Sequence, residues 1–165
     1  MPRILFVLDV QEGFLDANTR PVLPAIEKLL RRTDWDGIIA SRFKGQAGSL
    51  YAQRLGYNGM RSFLERALWS PVARAATFEV VKTGYSALTP AVLDYLQRFS
   101  NPQVHVCGFD TDGCVLGTCF ALWDAGYAPI LIESAVASTG GGSVHDAALE
   151  IARRSFGAGS SGLDL

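Results

Sequence analysis

Five short apolar runs, each ending near a polar residue or a glycine, constrain this chain more than any other feature. The first, Arg3-Ile4-Leu5-Phe6-Val7-Leu8-Asp9, is apolar at every position between its ends. A run too short for a helix and without polar alternation reads as a strand buried on both faces. Asp36 to Phe43, Thr77 to Lys82, Gln103 to Gly108 and Ala128 to Glu133 read as four more strands. Helical patterns lie between them: Val22 to Arg32, Thr89 to about Phe99 with Pro90 in its first turn, Gly113 to Ala125, and a last helix through Arg154. Ser143 is placed as the cap of that last helix, with Asp146 in its first turn. Arg61 to Leu68 reads as a short helix, and Lys44 to Met60 as a long surface loop.

Strands alternating with helices predict a three-layer, Rossmann-like α/β fold. Its sheet is mostly parallel, of five to six strands, with helices on both faces, in a single domain spanning 1–165. A sixth strand would fall in the Gly/Ser-rich tail, 157–165, which otherwise reads as a flexible terminus.

Composition narrows the class. Hydrophobic residues make up 48% of the 165 and charged residues 19%, enough apolar material for a sizeable core. Fifteen basic against sixteen acidic residues give a net charge of −1, so no nucleic-acid or membrane partner is expected. No apolar run approaches the ~20 residues of a membrane-spanning helix. Met1-Pro2-Arg3 leads straight into the first strand, which predicts no secretory leader. Three cysteines, Cys107, Cys114 and Cys119, make no disulfide framework. A reducing, cytoplasmic setting follows as the expectation. His105 and His145 stand forty residues apart, outside any ligand-spaced cluster, so no metal or other cofactor is expected.

In open parallel sheets, ligands lie beyond the carboxyl ends of the strands. Chemistry is therefore sought at Asp9, at Arg42 and Phe43, at Lys82, and after Gly108. Cys114 follows a strand and a short turn and then opens a helix. Unpaired N–H groups and the helix dipole at such a position stabilise a thiolate and can hold an oxyanion. Most free cysteines are simply small buried hydrophobes, and that reading stays open for Cys114. Asp9 closes a buried strand, where a carboxylate is costly unless paired; it is either a general base or a solvated turn residue. Lys82 also ends a strand, and alone it would be an ordinary surface lysine. An acid, a cation and a thiol at one sheet edge together suggest nucleophilic catalysis.

The same residues carry a family resemblance. Leu8-Asp9-Val10-Gln11-Glu12-Gly13-Phe14 looks like an opening D-x-Q-x-x-F motif, and Lys82-Thr83-Gly84-Tyr85-Ser86-Ala87-Leu88 is similar to K-x-x-Y-S-A-F. Gly108 to Thr118 is close to G-x-x-T-x-x-C-V-x-x-T. Ala125-Gly126-Tyr127 and Ala135-Val136-Ala137-Ser138 continue the pattern. Three motifs in order, each in the strand context it requires, resemble the isochorismatase-like cysteine hydrolases, which include nicotinamidases, N-carbamoylsarcosine amidohydrolases and ureidoacrylate amidohydrolases. The resemblance runs from Ile4 to about Phe156.

It implies a catalytic triad of Asp9, Lys82 and Cys114. It also implies a cis peptide between Phe109 and Asp110, with the amides of Asp110 and Cys114 forming an oxyanion hole. The implied reaction is metal-independent hydrolysis of a C–N bond in a small amide, ureido or carbamoyl compound through a thioester. Members commonly form dimers or larger homo-oligomers, which predicts one here, with the aromatics of Lys44 to Met60 at the contact.

Nicotinamidases of this family place an aspartate and two histidines after the second strand. Here that place reads Ala40-Ser41-Arg42-Phe43-Lys44-Gly45-Gln46, without histidine, so the resemblance does not extend to their metal or to nicotinamide. Two rivals remain: hydrolysis of an enol ether such as isochorismate, and a non-enzymatic protein that binds a small ligand or senses oxidants through Cys114.

Gln11, Phe14, Arg42, Phe43, Tyr51 and Tyr85 are candidate substrate contacts, with Arg42 or Lys44 able to meet a substrate carboxylate. Core packing for the aromatics and solvated charge for the basic residues are the ordinary alternatives. Ser138 to Ser143 is glycine-rich but lacks the Lys-Ser/Thr of a phosphate-binding loop, and reads as a loop before a helix. Cys107, Cys119 and His105 read as structural, His105 with its hydrogen bonds satisfied, and His145 as exposed or capping.

Overall fold

The computed structural model describes residues 1–157. Five strands, β1 (Arg3–Leu8), β2 (Gly37–Phe43), β3 (Phe78–Lys82), β4 (Gln103–Phe109) and β5 (Pro129–Ala137), form one sheet in the order β3-β2-β1-β4-β5. Every pairing is parallel. Parallel neighbours require crossovers, and helices supply them: α1 (Leu23–Leu30), α2 (Leu50–Leu55), α3 (Phe63–Arg66), α4 (Ser70–Ala75), α5 (Pro90–Leu96), α6 (Leu116–Asp124) and α7 (Gly142–Phe156). The predicted α/β architecture is the observed one. The sixth strand considered for the tail lies outside the described residues.

β1 shows why an all-apolar run was needed. Successive side chains point to opposite faces, so Ile4, Phe6 and Leu8 enter one core with Val92, Leu96, Cys119, Leu122 and Ala148 from α5, α6 and α7. Leu5 and Val7 enter the other core with Leu23, Ile26 and Leu29 of α1 and Val72 of α4. At roughly 1.5–3 kcal/mol per large apolar side chain, both faces must be covered for the strand to stay in register.

Several boundaries differ from the sequence expectation. The Lys44 to Met60 segment is not all loop, because α2 sits inside it. Ser49 caps α2 by accepting from the Ala52 amide, and Gly56 closes it in the left-handed conformation, φ 65°. β5 runs on to Ala137: two steps along β4, Val106 to Gly108, face five along β5, Leu131 to Val136, so a bulge carries the extra residues. α7 is capped by Gly141 at φ 91°, and Ser143 makes no cap bond. The helix predicted to open at Gly113 begins as a five-residue π-helical turn, Thr111–Val115, before α6. None of the described helices is long and apolar enough to cross a membrane.

The sheet order reverses between β1 and β4, which makes the carboxyl ends of these strands a topological switch point. Gly108 keeps the two strands close there. Its φ is +113°, and a Cβ at this position would lie 2.1 Å from the Leu8 carbonyl oxygen.

Candidate active site

Asp9 is the first residue past β1. It is fully buried and adopts a left-handed conformation, φ 52°, which costs about 1–3 kcal/mol for a residue with a side chain. Ser41 of β2 holds it in place: its carbonyl and hydroxyl oxygens each lie 3.2 Å from the Asp9 amide, and its hydroxyl donates to Asp9 Oδ1 at 2.7 Å. The other oxygen, Oδ2, lies 2.7 Å from Lys82 Nζ and has no other polar partner among the described residues. Oδ2 is therefore the oxygen with room to take a proton.

Lys82 ends β3, two strands from β1, and its long side chain crosses the end of β2 over the Phe43 ring, 5.1 Å from the centroid. Only 4% of the residue is exposed. Its ammonium meets Asp9 Oδ2 at 2.7 Å, Cys114 Sγ at 3.0 Å and the Gly84 carbonyl at 2.9 Å, which engages all three protons. Burial alone would lower its pKa. Its interactions with Asp9 first and then Cys114 outweigh that and raise it, so the lysine stays an ammonium.

Cys114 lies in the π-helical turn after β4, half-buried, with its sulfur on the Lys82 ammonium. The expectation of a lowered thiol pKa does not hold. Burial, reinforced by the Asp9 carboxylate, pushes the thiol up, and Lys82 only partly offsets this. The resting group is a thiol that needs a base at the moment of attack, and Asp9 stands beside the same ammonium. Cys107 and Cys119 are buried, with pKa also raised by burial, and have no such neighbours.

The preceding peptide, Phe109–Asp110, is cis. The Asp110 carbonyl is turned into the π-helical turn, where it accepts from the amides of Gly113 (3.1 Å) and Val115 (3.0 Å). The Asp110 carboxylate accepts from the backbone and hydroxyl of Thr139, both at 2.7 Å. Burial nonetheless raises its pKa. Thr118 supports the Lys82 motif, its hydroxyl accepting from the Ala87 amide at 2.9 Å.

A cavity of about 470 Å³ opens over Cys114. Phe14, Phe43, Tyr51 and Tyr85, all picked from the sequence, line it. Their rings form a connected wall, with centroids 6.2 Å apart for Phe14–Phe43, 5.2 Å for Phe43–Tyr51 and 5.0 Å for Tyr51–Tyr85. Leu55 and Tyr57 of the Lys44 to Met60 segment line it as well, and so do Asp16, Asp112 and Thr139, to which the sequence did not point.

Two predicted substrate contacts are elsewhere. Arg42 pairs with Glu79 at 2.7 Å and does not line the cavity, because strand alternation turns it away from the face where Ser41 and Phe43 point. Gln11 is buried beneath the site. Its side chain accepts from the Phe43 amide at 2.7 Å and donates to the carbonyls of Phe43 and Arg66, both at 3.0 Å, tying β1 to β2 and α3. Lys44 does not line the cavity either.

The two histidines also differ from expectation. His105 is buried, but neither ring nitrogen has a hydrogen-bond partner among the described residues. His145 is half-buried rather than exposed, with Nδ1 2.8 Å from the Thr111 hydroxyl. The described residues contain no group of three or more His, Cys, Asp or Glu side chains placed to hold a metal, so the nicotinamidase-type metal does not fit this donor set.

The isochorismatase domain family matches residues 3–161. The chain belongs to the isochorismatase family. Among solved structures, it is similar to an isochorismatase-like hydrolase from Alkaliphilus metalliredigens, with TM-score 0.81, 14% identity and coverage of 95% of this chain and 93% of that one. A nicotinamidase from Bacillus subtilis gives TM-score 0.78 at 19% identity, covering 94% and 97%. An N-carbamoylsarcosine amidase from Thermoplasma acidophilum gives TM-score 0.77 at 17% identity over the whole of both chains. At such identities the likeness is one of fold. No curated protein matches the chain.

Proposed function

We propose that this member of the isochorismatase family is a metal-independent cysteine amidohydrolase that cleaves a C–N bond of a small amide, ureido or carbamoyl compound. One observation carries the reading: the Lys82 ammonium holds Asp9 Oδ2 and Cys114 Sγ 2.7 and 3.0 Å from one nitrogen, and Cys114 lines an aromatic cavity. The amidases among its structural neighbours support it.

The steps follow from those groups. Asp9 takes the Cys114 proton as the thiolate attacks the carbonyl carbon, and Lys82 stabilises the developing sulfur anion. The amides of Asp110 and Cys114 hold the oxyanion. The C–N bond breaks, and the proton on Asp9 passes to the leaving nitrogen. Water gives a proton to Asp9 and attacks the thioester. The C–S bond breaks, and the thiol regains its proton from Asp9, leaving a carboxylic acid from an amide, or a carbamic acid from a ureido or carbamoyl compound, together with ammonia or an amine. A thiol held protonated at rest and a buried base beside it suit this order of events.

Cys114→Ala should abolish ammonia release across an amide screen while leaving the circular dichroism spectrum unchanged. Turnover at the wild-type rate would refute the assignment, and release of a carbonyl product without ammonia would favour the enol ether reaction. We also propose a cytoplasmic homo-oligomer, with the aromatics of the Lys44 to Met60 segment and the exposed Leu50, Phe63 and Leu64 at the contact. A monomeric mass by light scattering would refute the oligomer.

A further inference from the structure

We infer that the cavity over Cys114 selects substrates carrying an organic cation, an alkylammonium or quaternary ammonium group, and rejects carboxylates. This deepens the amidohydrolase reading and rests on it for the reaction, though not for the charge preference itself.

The first argument is charge. The chain as a whole is nearly balanced, 15 basic against 16 acidic residues. The cavity is not. Asp16, Asp110 and Asp112 line it, and no lysine or arginine does among the described residues. The two cations that the sequence offered for a substrate carboxylate are elsewhere: Arg42 is neutralised by Glu79, and Lys44 is not in the lining. Lys82, held against Cys114, has given its three protons to Asp9, Cys114 and Gly84. It has none left for a substrate carboxylate without breaking the group it organises.

The second argument is the wall. Phe43, Tyr51 and Tyr85 stand edge to face at 5.0–5.2 Å, and Phe14 and Tyr57 flank Phe43 at 6.2 and 6.5 Å. Aromatic faces surrounding a small space attract a cation within about 6 Å of a ring centroid, more strongly when it is desolvated. Carboxylates at the rim add long-range attraction. Asp16 spends Oδ1 on its own loop, on the amides of Asn18 (2.8 Å) and Thr19 (3.0 Å), and Asp112 spends Oδ1 on the hydroxyl of Ser138 after β5. Their Oδ2 atoms have no such bond among the described residues. Burial first, then the neighbouring acidic groups Glu65, Asp110 and Cys114, push the Tyr57 pKa up to about 12, and Tyr51 is pushed upward by burial and by Cys114, Tyr85 and Asp9.

The test uses Cys114 as the reporter. Three methanethiosulfonates share one reactive group and carry ethyltrimethylammonium, ethyl or ethylsulfonate. Their rates at Cys114 are resolved by peptide mass spectrometry and divided by their rates with 2-mercaptoethanol. The normalised cation-to-anion ratio should be about tenfold or more at low salt and shrink at high salt. Asp16→Asn and Asp112→Asn, which keep the Oδ1 acceptors, should each reduce it. Millimolar tetramethylammonium should slow alkylation of Cys114 by neutral iodoacetamide, and acetate should not. A ratio at or below one, or protection by acetate alone, would overturn the inference. Failure of the amidohydrolase reading looks different: iodoacetamide would label Cys114 no faster than an ordinary thiol, whatever the charge ratio.

Discussion

At the carboxyl end of the sheet, Lys82 is almost completely buried and spends every proton on a partner. Toward the amino end, His105 is buried to the same degree, 3% exposed, and neither ring nitrogen has a partner among the described residues. The edge of Trp35 covers it, 5.1 Å between ring centroids, and Arg3 and Arg32 lie over Trp35. Burial first, then those two arginines, lower the imidazole pKa to about 4. The two sites share a sheet and a degree of burial, yet one holds its charge and the other sheds it. Pairing, more than depth, decides which form the fold keeps.

The largest break in that contrast is Lys82→Met. It leaves Asp9 buried without its counter-ion, so stability should fall by about 3–5 kcal/mol in urea unfolding, with Cys114 chemistry lost. Adding Asp9→Asn should recover part of that stability, because the buried charge goes with it; a double variant no more stable than Lys82→Met would contradict the pairing.

Acid comes next. His105 has a folded pKa of about 4 against the ordinary 6.5, so its contribution is complete above pH 6.5 and is lost as pH falls toward 4. The loss should reach roughly 3 kcal/mol, and His105→Leu should flatten it, as followed by urea midpoints between pH 7 and 4. The raised groups at the other end act oppositely. Lys82 contributes fully below its ordinary value of 10.5 and loses that contribution only above it, and the raised Cys114 thiol costs stability only above about 9. The two ends should therefore titrate on opposite sides of neutrality.

The smallest effect is Ser41→Ala. It removes the hydroxyl bond to Asp9 Oδ1 and should cost about 2 kcal/mol, as a hydrogen bond to an ionised group does. An unchanged unfolding midpoint would mean that Ser41 does not hold the carboxylate.

The main features of the site were legible because each key residue terminates or follows an apolar run. Asp9, Lys82 and Cys114 could be placed at one sheet edge from strand boundaries alone, and the sheet obeys the parallel rule. Some misses were recoverable. Arg42 lies between Ser41 and Phe43, so period-two alternation already turns it away from the side they share, and Ser49 and Gly56 are capping signals for α2. Others were not. The π-helical turn inserts residues that helical periodicity does not reveal, and it places Cys114 where burial and Asp9 raise its pKa. Asp16 and Thr139 reach the cavity from loops distant in sequence. The bulge that lengthens β5 depends on β4 as its partner.

The central claim is that Asp9 serves as the base for Cys114. The most direct test is the site-resolved rate of iodoacetamide labelling at pH 7 in wild type and Asp9→Asn, with retained folding checked by circular dichroism. The account predicts labelling of Cys114 but not of Cys107 or Cys119, and a fall of about a hundredfold or more at Cys114 in the variant, the scale of general base catalysis. Equal rates at Cys114 in the two folded proteins would contradict it.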